Sequence, residues 1–119
     1  MIGISTSWRS EILDNGLEVI NSILDLGLET LELEYRITTP MLQEILPLLK
    51  RRRVSVVSLH NFFPLPGGLP KEKASGDIFS LSSPDKEERE WAVKYTQRTI
   101  EWAQELEAQA VVLHLGKIP

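Results

Sequence analysis

The sequence predicts an α/β fold in which four parallel strands alternate with three helices in the order βαβαβαβ. Short strand-like runs, β-branched or alternating in polarity, lie at residues 2–6, 29–35, 54–60 and 110–115. Apolar residues between these runs recur at helical spacing. Alternation of strands and helices is typical of a parallel sheet with right-handed crossovers, so the order of the elements predicts the fold class.

Composition narrows the class of protein. The chain has 119 residues, 42% of them hydrophobic, which is enough for one domain with a real core. It contains no cysteine, which excludes disulfides, thiolate metal sites and thiol catalysis. The formal net charge of −4 gives no general attraction to nucleic acid or to anionic membranes. With no signal peptide and no apolar segment of membrane length, we expect a cytoplasmic protein without a membrane partner.

The second predicted strand, residues 29–35, alternates most clearly. Leu31 and Leu33 fall on one face, and Glu32 and Glu34 fall on the other. The apolar face must be covered by other elements. The acidic face is either solvated at an edge strand or, if the sheet curls into a barrel, an interior face whose carboxylates need partners.

The three helices are predicted from the residues at their ends. Asn15 introduces the first helix and Gly27 follows it, Pro40 suits the first position of the second, and Asp85 caps the third. A long segment rich in Pro, Gly and Ser, residues 61–83, separates the third strand from the third helix. Loops of this length in compact domains are usually functional or disordered.

Four consecutive basic residues, 50–53, end the second helix. They either bind phosphates or form a solvated helix end, where cations offset the negative end of the helix dipole; the second interpretation is the simpler. Because this run precedes the third strand, it is predicted at the amino-terminal end of the sheet. It therefore lies away from the strand ends at which functional groups collect.

The sharpest functional signal is a pair of histidines that close two strand-like runs. His60 ends the third run and His114 ends the fourth, and the chain has no other histidine. The carboxyl ends of parallel strands meet at one edge, where Glu32 and Glu34 also lie nearby. Two imidazoles and a carboxylate suit a divalent metal such as Zn, Mn or Mg. Taken singly, each histidine is better explained as a hydrogen-bonded residue at a strand end, and only the two together make the metal site an equal alternative.

Two phenylalanines follow His60 directly. Phe62 and Phe63 either wall a pocket or cap the core beneath the long loop, and the residue types do not separate these alternatives.

Four short motifs, in their order and spacing, resemble the xylose isomerase-like TIM barrels. They are GLETLEL at 27–33, SLH at 58–60, SPDKEER at 83–89 and VLHLG at 112–116. This superfamily contains sugar and sugar-phosphate isomerases and epimerases, and also the endonuclease IV type of abasic-site nuclease. The resemblance covers the whole chain but only the amino-terminal half of the family fold. It implies that residues 1–119 form the first half of a (β/α)8 TIM barrel.

The resemblance also implies roles for individual residues. His60 and His114 correspond to the histidines that end strands three and four, which are expected to bind the metal (Mn, Mg or Zn) or the substrate hydroxyls. Glu32 corresponds to the glutamate of strand two, a catalytic carboxylate that faces the substrate. The residues expected to bind a sugar or sugar phosphate are Glu34, Phe62 and Trp8.

The function implied is metal-dependent isomerisation or epimerisation of a sugar or sugar phosphate. The metal would polarise a carbonyl and a hydroxyl while a carboxylate moves a proton between adjacent carbons. The alternative enzyme is an endonuclease IV-like phosphodiesterase acting on abasic DNA. The first strand of that branch ends in a histidine ligand where this chain has Ser5, which together with the acidic composition disfavours nucleic acid.

The chain departs from the family in length. The ligands that the family draws from strands five to eight have no counterpart here, so activity is expected only if the barrel is completed. The chain is then a fragment of a longer protein, a half that pairs with another half, or a homodimer that closes a pseudo-barrel. A further alternative is a catalytically inert half-barrel, without metal, that dimerises.

Overall fold

The computed structural model describes residues 1–116 as one parallel sheet whose strands lie in chain order. The elements are β1 (Ile4–Ser5), α1 (Gly16–Leu24), β2 (Thr30–Leu33), α2 (Thr39–Lys50), β3 (Ser55–His60), α3 (Lys86–Glu105) and β4 (Ala110–Val112). Every neighbouring pair of strands is parallel. The predicted α/β fold with the order βαβαβαβ is confirmed.

The strands are shorter than the sequence predicts. Thr6 begins a short 3-10 turn, Thr6–Trp8, which ends β1. β2 ends at Leu33, and β4 ends at Val112, whose partner is His60, the last residue of β3. Consequently Glu34 and His114 follow their strands instead of lying within them.

The core lies between the helices and one face of the sheet. Leu31, Leu33 and Leu59 are fully buried on that face. Against them pack the apolar residues of the helices, chiefly Val19, Ile20, Ile23, Met41, Leu42 and Ile45. Burying such side chains contributes on the order of 1.5–3 kcal/mol each, so this face fixes which side of each strand points away from the helices.

Strand β3 carries an irregularity that changes which side chains face the core. The pairing with β2 passes from Val56 directly to Ser58, so Val57 is an extra residue in that ladder. Val56 and Leu59 are therefore both buried although they are three positions apart. Val57 and Ser58 both line a hollow on the other face, and His60 follows on that face by alternation from Leu59.

The ends of α1 and α3 match the residues predicted to form them, whereas α2 begins at Thr39, one residue before Pro40. The side chain of Asn15 accepts a hydrogen bond at the start of α1, and that of Asp85 does the same at the start of α3. Gly27 has a φ of 78°, which suits glycine, in the turn after α1. Within residues 1–116, no helix is long and apolar enough to cross a membrane.

The long loop, residues 61–83, is attached to the domain along its length. Its only helical turn in the described structure is the 3-10 turn Lys71–Lys73. Leu65 N–H donates to the carbonyl of Ile37, and Lys71 Nζ donates to the carboxylate of Asp14 at 2.6 Å. The loop is thus an ordered cover over the carboxyl end of the sheet.

A buried polar network joins the end of β3 to α3. Asn61 Nδ2 donates to Thr96 Oγ1 at 2.8 Å, and Thr99 Oγ1 lies 2.8 Å from Asn61 Oδ1. Phe63 N–H donates to Thr99 Oγ1 at 2.9 Å. The main-chain N–H of Asn61 donates to the carbonyl of Val112. The network holds the chain immediately after His60 against both α3 and β4.

Thr99→Val tests this network because valine keeps the shape and removes the hydroxyl. It leaves Phe63 N–H and the Asn61 amide without their shared partner in a buried site, which should lower the free energy of unfolding by about 1–3 kcal/mol. Denaturant unfolding measures the loss. Thr39→Val, at an exposed position of α2, is the matched control and should change stability by less than about 0.5 kcal/mol. Equal effects of the two variants would contradict a structural role for the network.

Candidate functional site

The structure brings His60 and His114 together at the carboxyl ends of β3 and β4. Their ring centroids are 5.1 Å apart, with the ring planes at 80°. The pairing of His60 with Val112 accounts for the contact, because it leaves His114 two residues further along the neighbouring chain. The convergence expected from the two strand ends is therefore present, and their role as metal ligands stays a prediction.

Each imidazole is engaged through the same nitrogen. His60 Nδ1 lies 3.0 Å from the carbonyl oxygen of Asn61, and His114 Nδ1 lies 2.9 Å from Oδ1 of Asp77. Carbonyl and carboxylate oxygens only accept hydrogen bonds, so each Nδ1 carries a proton in the neutral ring. Nε2 is then the nitrogen with a lone pair in both residues. Metal-binding histidines are oriented by this same kind of partner.

The long loop packs directly against the histidine pair. A Cβ atom placed on Gly76 would lie 2.9 Å from Nδ1 and Cε1 of His114 and 3.0 Å from Cε1 of His60. On the other side, the ring of Tyr35 meets His60 edge to face at 5.0 Å. His60 thus lies in contact with Tyr35 as well as near the loop backbone, whereas His114 remains partly exposed.

Gly76, Asp77 and Tyr35 are site residues that sequence reasoning missed. The only signal for Gly76 and Asp77 was their place in a long loop of the kind that often carries function. Nothing in the loop has a period that assigns one of its residues to a particular strand end.

Glu32 lies on the open face of the sheet, away from the helices. Its carboxylate accepts a hydrogen bond from Ser58 Oγ at 2.8 Å, and the two residues are partners across β2 and β3. With Ser5 they line a shallow hollow on this face. Because Ser58 precedes His60 by two residues, Glu32 lies roughly 7 Å deeper along the strands than His60.

Glu34 is buried and has hydrogen-bond partners, as a carboxylate on an interior face needs. β2 ends at Leu33, and the Glu34 side chain is 1% exposed. Its carboxylate accepts hydrogen bonds from Thr6 Oγ1 at 3.1 Å and from Arg36 N–H at 2.9 Å. These contacts tie the segment after β1 to the segment after β2. Substrate binding by Glu34 stays a prediction, and the contacts found are structural.

The two predicted aromatic contacts differ in exposure. Phe62 is 2% exposed and packs edge to face on Phe79 of the long loop. Trp8 is 45% exposed, and the Arg9 guanidinium lies over its ring at 5.1 Å. Trp8 is therefore accessible to a ligand, whereas Phe62 is not; their roles in substrate binding stay predictions.

A cavity of about 250 Å³ adjoins His114. Its lining comprises Asp77, Phe79, Ser80, Ser82, Ser83, Pro84, Glu88, His114 and Gly116. These residues offer hydroxyls and carboxylates but no Lys or Arg. The basic run lies elsewhere: Lys50 and Arg52 line a separate hollow with Val54 and Ser55, at the amino end of β3.

The two histidines are suitable as two of the ligands of a metal site. Both Nε2 atoms are of the kind that binds Zn, Mn or other divalent ions, and both rings have a hydrogen-bond acceptor behind them. Among residues 1–116 there is no group of three or more His, Asp, Glu or Cys arranged to hold an ion. A complete coordination sphere therefore needs ligands in addition to the two histidines, from water, from substrate or from other protein groups.

Parallel strands that alternate with helices and present histidines at their carboxyl ends define an α/β protein with a candidate site at one edge of its sheet. The family described as xylose isomerase-like TIM barrel matches residues 20–118. The chain belongs to this family. Comparison with curated proteins and with solved structures gives no match.

Glu34→Gln distinguishes a structural carboxylate from an accessible one. The amide nitrogen of glutamine cannot accept the hydrogen bond from Thr6 or from Arg36, so one buried donor loses its partner. We expect a loss of about 1–3 kcal/mol in the free energy of unfolding, measured in denaturant. Glu101→Gln, on the exposed face of α3, is the control. A stability equal to that of the control would argue against the contacts described for Glu34.

Proposed function

We propose that the chain provides half of the active site of a metal-dependent isomerase or epimerase acting on a sugar or sugar phosphate. The observation that carries the proposal is the histidine pair, with His60 and His114 in contact and Nδ1 of each hydrogen-bonded to an oxygen acceptor. Membership of the xylose isomerase-like family supports the reaction class. Activity requires that the barrel be completed.

In this proposal His60 and His114 hold a divalent metal through Nε2. The metal, when bound, polarises a carbonyl and a neighbouring hydroxyl of the substrate. Glu32 accepts the proton from one carbon and returns it to the next, while the hydroxyl proton passes to the former carbonyl oxygen. The hydrogen bond from Ser58 Oγ fixes the orientation of the Glu32 carboxylate. The depth of Glu32 below the histidines leaves room for a substrate that spans both groups.

The distribution of charge favours a sugar over abasic DNA. Binding to DNA depends on cations that neutralise phosphates. The cavity beside His114 is lined by Asp77 and Glu88, whereas Lys50 and Arg52 lie around β3's opposite end. We therefore regard the endonuclease IV-like activity on abasic DNA as the second candidate function.

The open edges of the sheet support completion by further strands. In the structure of residues 1–116, β1 and β4 each pair on one side only. Apolar side chains along these edges are exposed, with Ile2 at 79%, Val112 at 41% and Leu115 at 69%. Unpaired edges with apolar side chains tend to associate. Further sequence, a separate half or a second copy would each cover them.

His60→Ala and His114→Ala should each lower the bound divalent metal and the isomerase turnover of the completed protein. Glu32→Gln should lower turnover while the metal content stays unchanged, because glutamine cannot take up a proton. General acid–base groups typically contribute about 100- to 10,000-fold, so the loss should be large. Metal analysis and sugar interconversion assays measure these effects, with Glu101→Gln as the control.

Two outcomes would contradict this proposal. The first is unchanged metal content and turnover in both histidine variants. The second is salt-sensitive binding and cleavage of abasic duplex DNA without sugar turnover, which would establish the nuclease instead.

The isolated 119-residue chain should self-associate through its open sheet edges. Val112→Lys places a charge on β4 and should shift the mass measured by light scattering toward the monomer. Leu26→Lys, at an exposed apolar position after α1, is the matched control and should leave the mass unchanged. A well-folded monomer at all concentrations would exclude pairing of two copies.

A further inference from the structure

The loop of residues 61–83 contributes side-chain and backbone contacts to the histidine pair. Asp77 Oδ1 lies 2.9 Å from His114 Nδ1, and the Asp77 N–H donates to Ser75 Oγ at 3.0 Å. The second bond fixes the backbone from which the Asp77 carboxylate extends. Both side chains of the pair are partly exposed, 43% for His114 and 31% for Asp77. Because water screens the attraction between partly exposed charges, the effect of Asp77 on His114 comes mainly from the geometry of the hydrogen bond.

We propose that Asp77 is a positioning residue, which holds the His114 imidazole with its proton on Nδ1 so that Nε2 is the nitrogen available to a divalent metal. A carboxylate at Nδ1 fixes both the tautomer and the orientation of the ring and makes Nε2 a better ligand. The consequence for metal binding rests on the proposed function. The tautomer itself does not, and it is measurable in the metal-free protein.

Gly76 gives the loop its close approach to the two rings. A Cβ at this position would meet Nδ1 and Cε1 of His114 and Cε1 of His60 at 2.9–3.0 Å, closer than such contacts normally occur. An alanine would therefore displace the loop or the imidazoles. The glycine is thus the spacer that lets Asp77 reach His114 while the loop backbone rests against His60.

The same loop continues into the wall of the adjoining cavity. Asp77, Phe79 and Ser80 line it together with His114. A residue that fixes the His114 ring consequently also fixes one wall of the cavity that adjoins His114. The long loop is therefore a structural part of the site.

Long-range proton–nitrogen NMR of the metal-free, nitrogen-15-labelled protein tests the positioning directly, because the chain has two histidines and hence two sets of imidazole signals. The wild type should show His114 protonated at Nδ1. Asp77→Ala should move the proton toward Nε2. Asp77→Asn retains an oxygen acceptor and should preserve the wild-type tautomer. Asp25→Ala, at the exposed end of α1, is the control.

Zinc affinity, measured by competition with a chromophoric chelator, tests the consequence. Asp77→Ala should weaken zinc binding by about tenfold or more, the usual effect of losing such a partner. Gly76→Ala should weaken it as well. Gly67→Ala lies in the same loop with open space around the added methyl group and should not. Circular dichroism of each variant separates loss of binding from loss of fold.

The outcomes separate this inference from the proposed function. A His114 tautomer unaffected by Asp77→Ala would overturn the inference, and so would an unaltered zinc affinity in a protein that binds zinc. A shifted tautomer in a protein that binds no zinc, even in the wild type, would support the positioning by Asp77 and contradict the proposed metal-dependent function.

Discussion

The structure depends on the hydrogen bonds that Asn61 makes where the chain leaves β3. Its N–H reaches the carbonyl of Val112 on β4, its side-chain amide bonds Thr96 and Thr99 of α3, and its carbonyl accepts from His60 Nδ1. A buried network of this kind rigidifies its surroundings when every member is satisfied. One residue thereby connects the sheet, the longest helix and the orientation of the first imidazole.

The candidate site is assembled from segments that are distant in sequence, and each is fixed by a different physical constraint. The pairing of β3 with β4 places His114 beside His60, and Ser58 orients Glu32 across β2 and β3. The long loop supplies Asp77 from a segment with little regular secondary structure. Rigid strands thus determine position, and the loop determines the orientation of one ring, which is how loop residues commonly contribute to sites on α/β scaffolds.

Much of the fold could be predicted from the sequence because its causes are periodic. Alternation in β2 and helical spacing elsewhere predicted the elements and their order, and the family match confirms the class. The contact between the side chains of His60 and His114 was predicted from the common direction of parallel strands. Periodicity does not predict the burial of Glu34, which arises where β2 stops, or the contact of Asp77, which depends on the path of an irregular loop.

The extra residue in β3 has a consequence for the fidelity of folding. Val54 and Val56 face the core, and unbroken alternation would send Ser58 and His60 after them. Pairing without the bulge would thus bury a hydroxyl and an imidazole and expose Leu59, an arrangement that is unfavourable on both faces. The polar residues of the site consequently favour the correct strand register. Mutations that make them apolar would remove a chemical group and would also lower the energetic cost of misaligned strands.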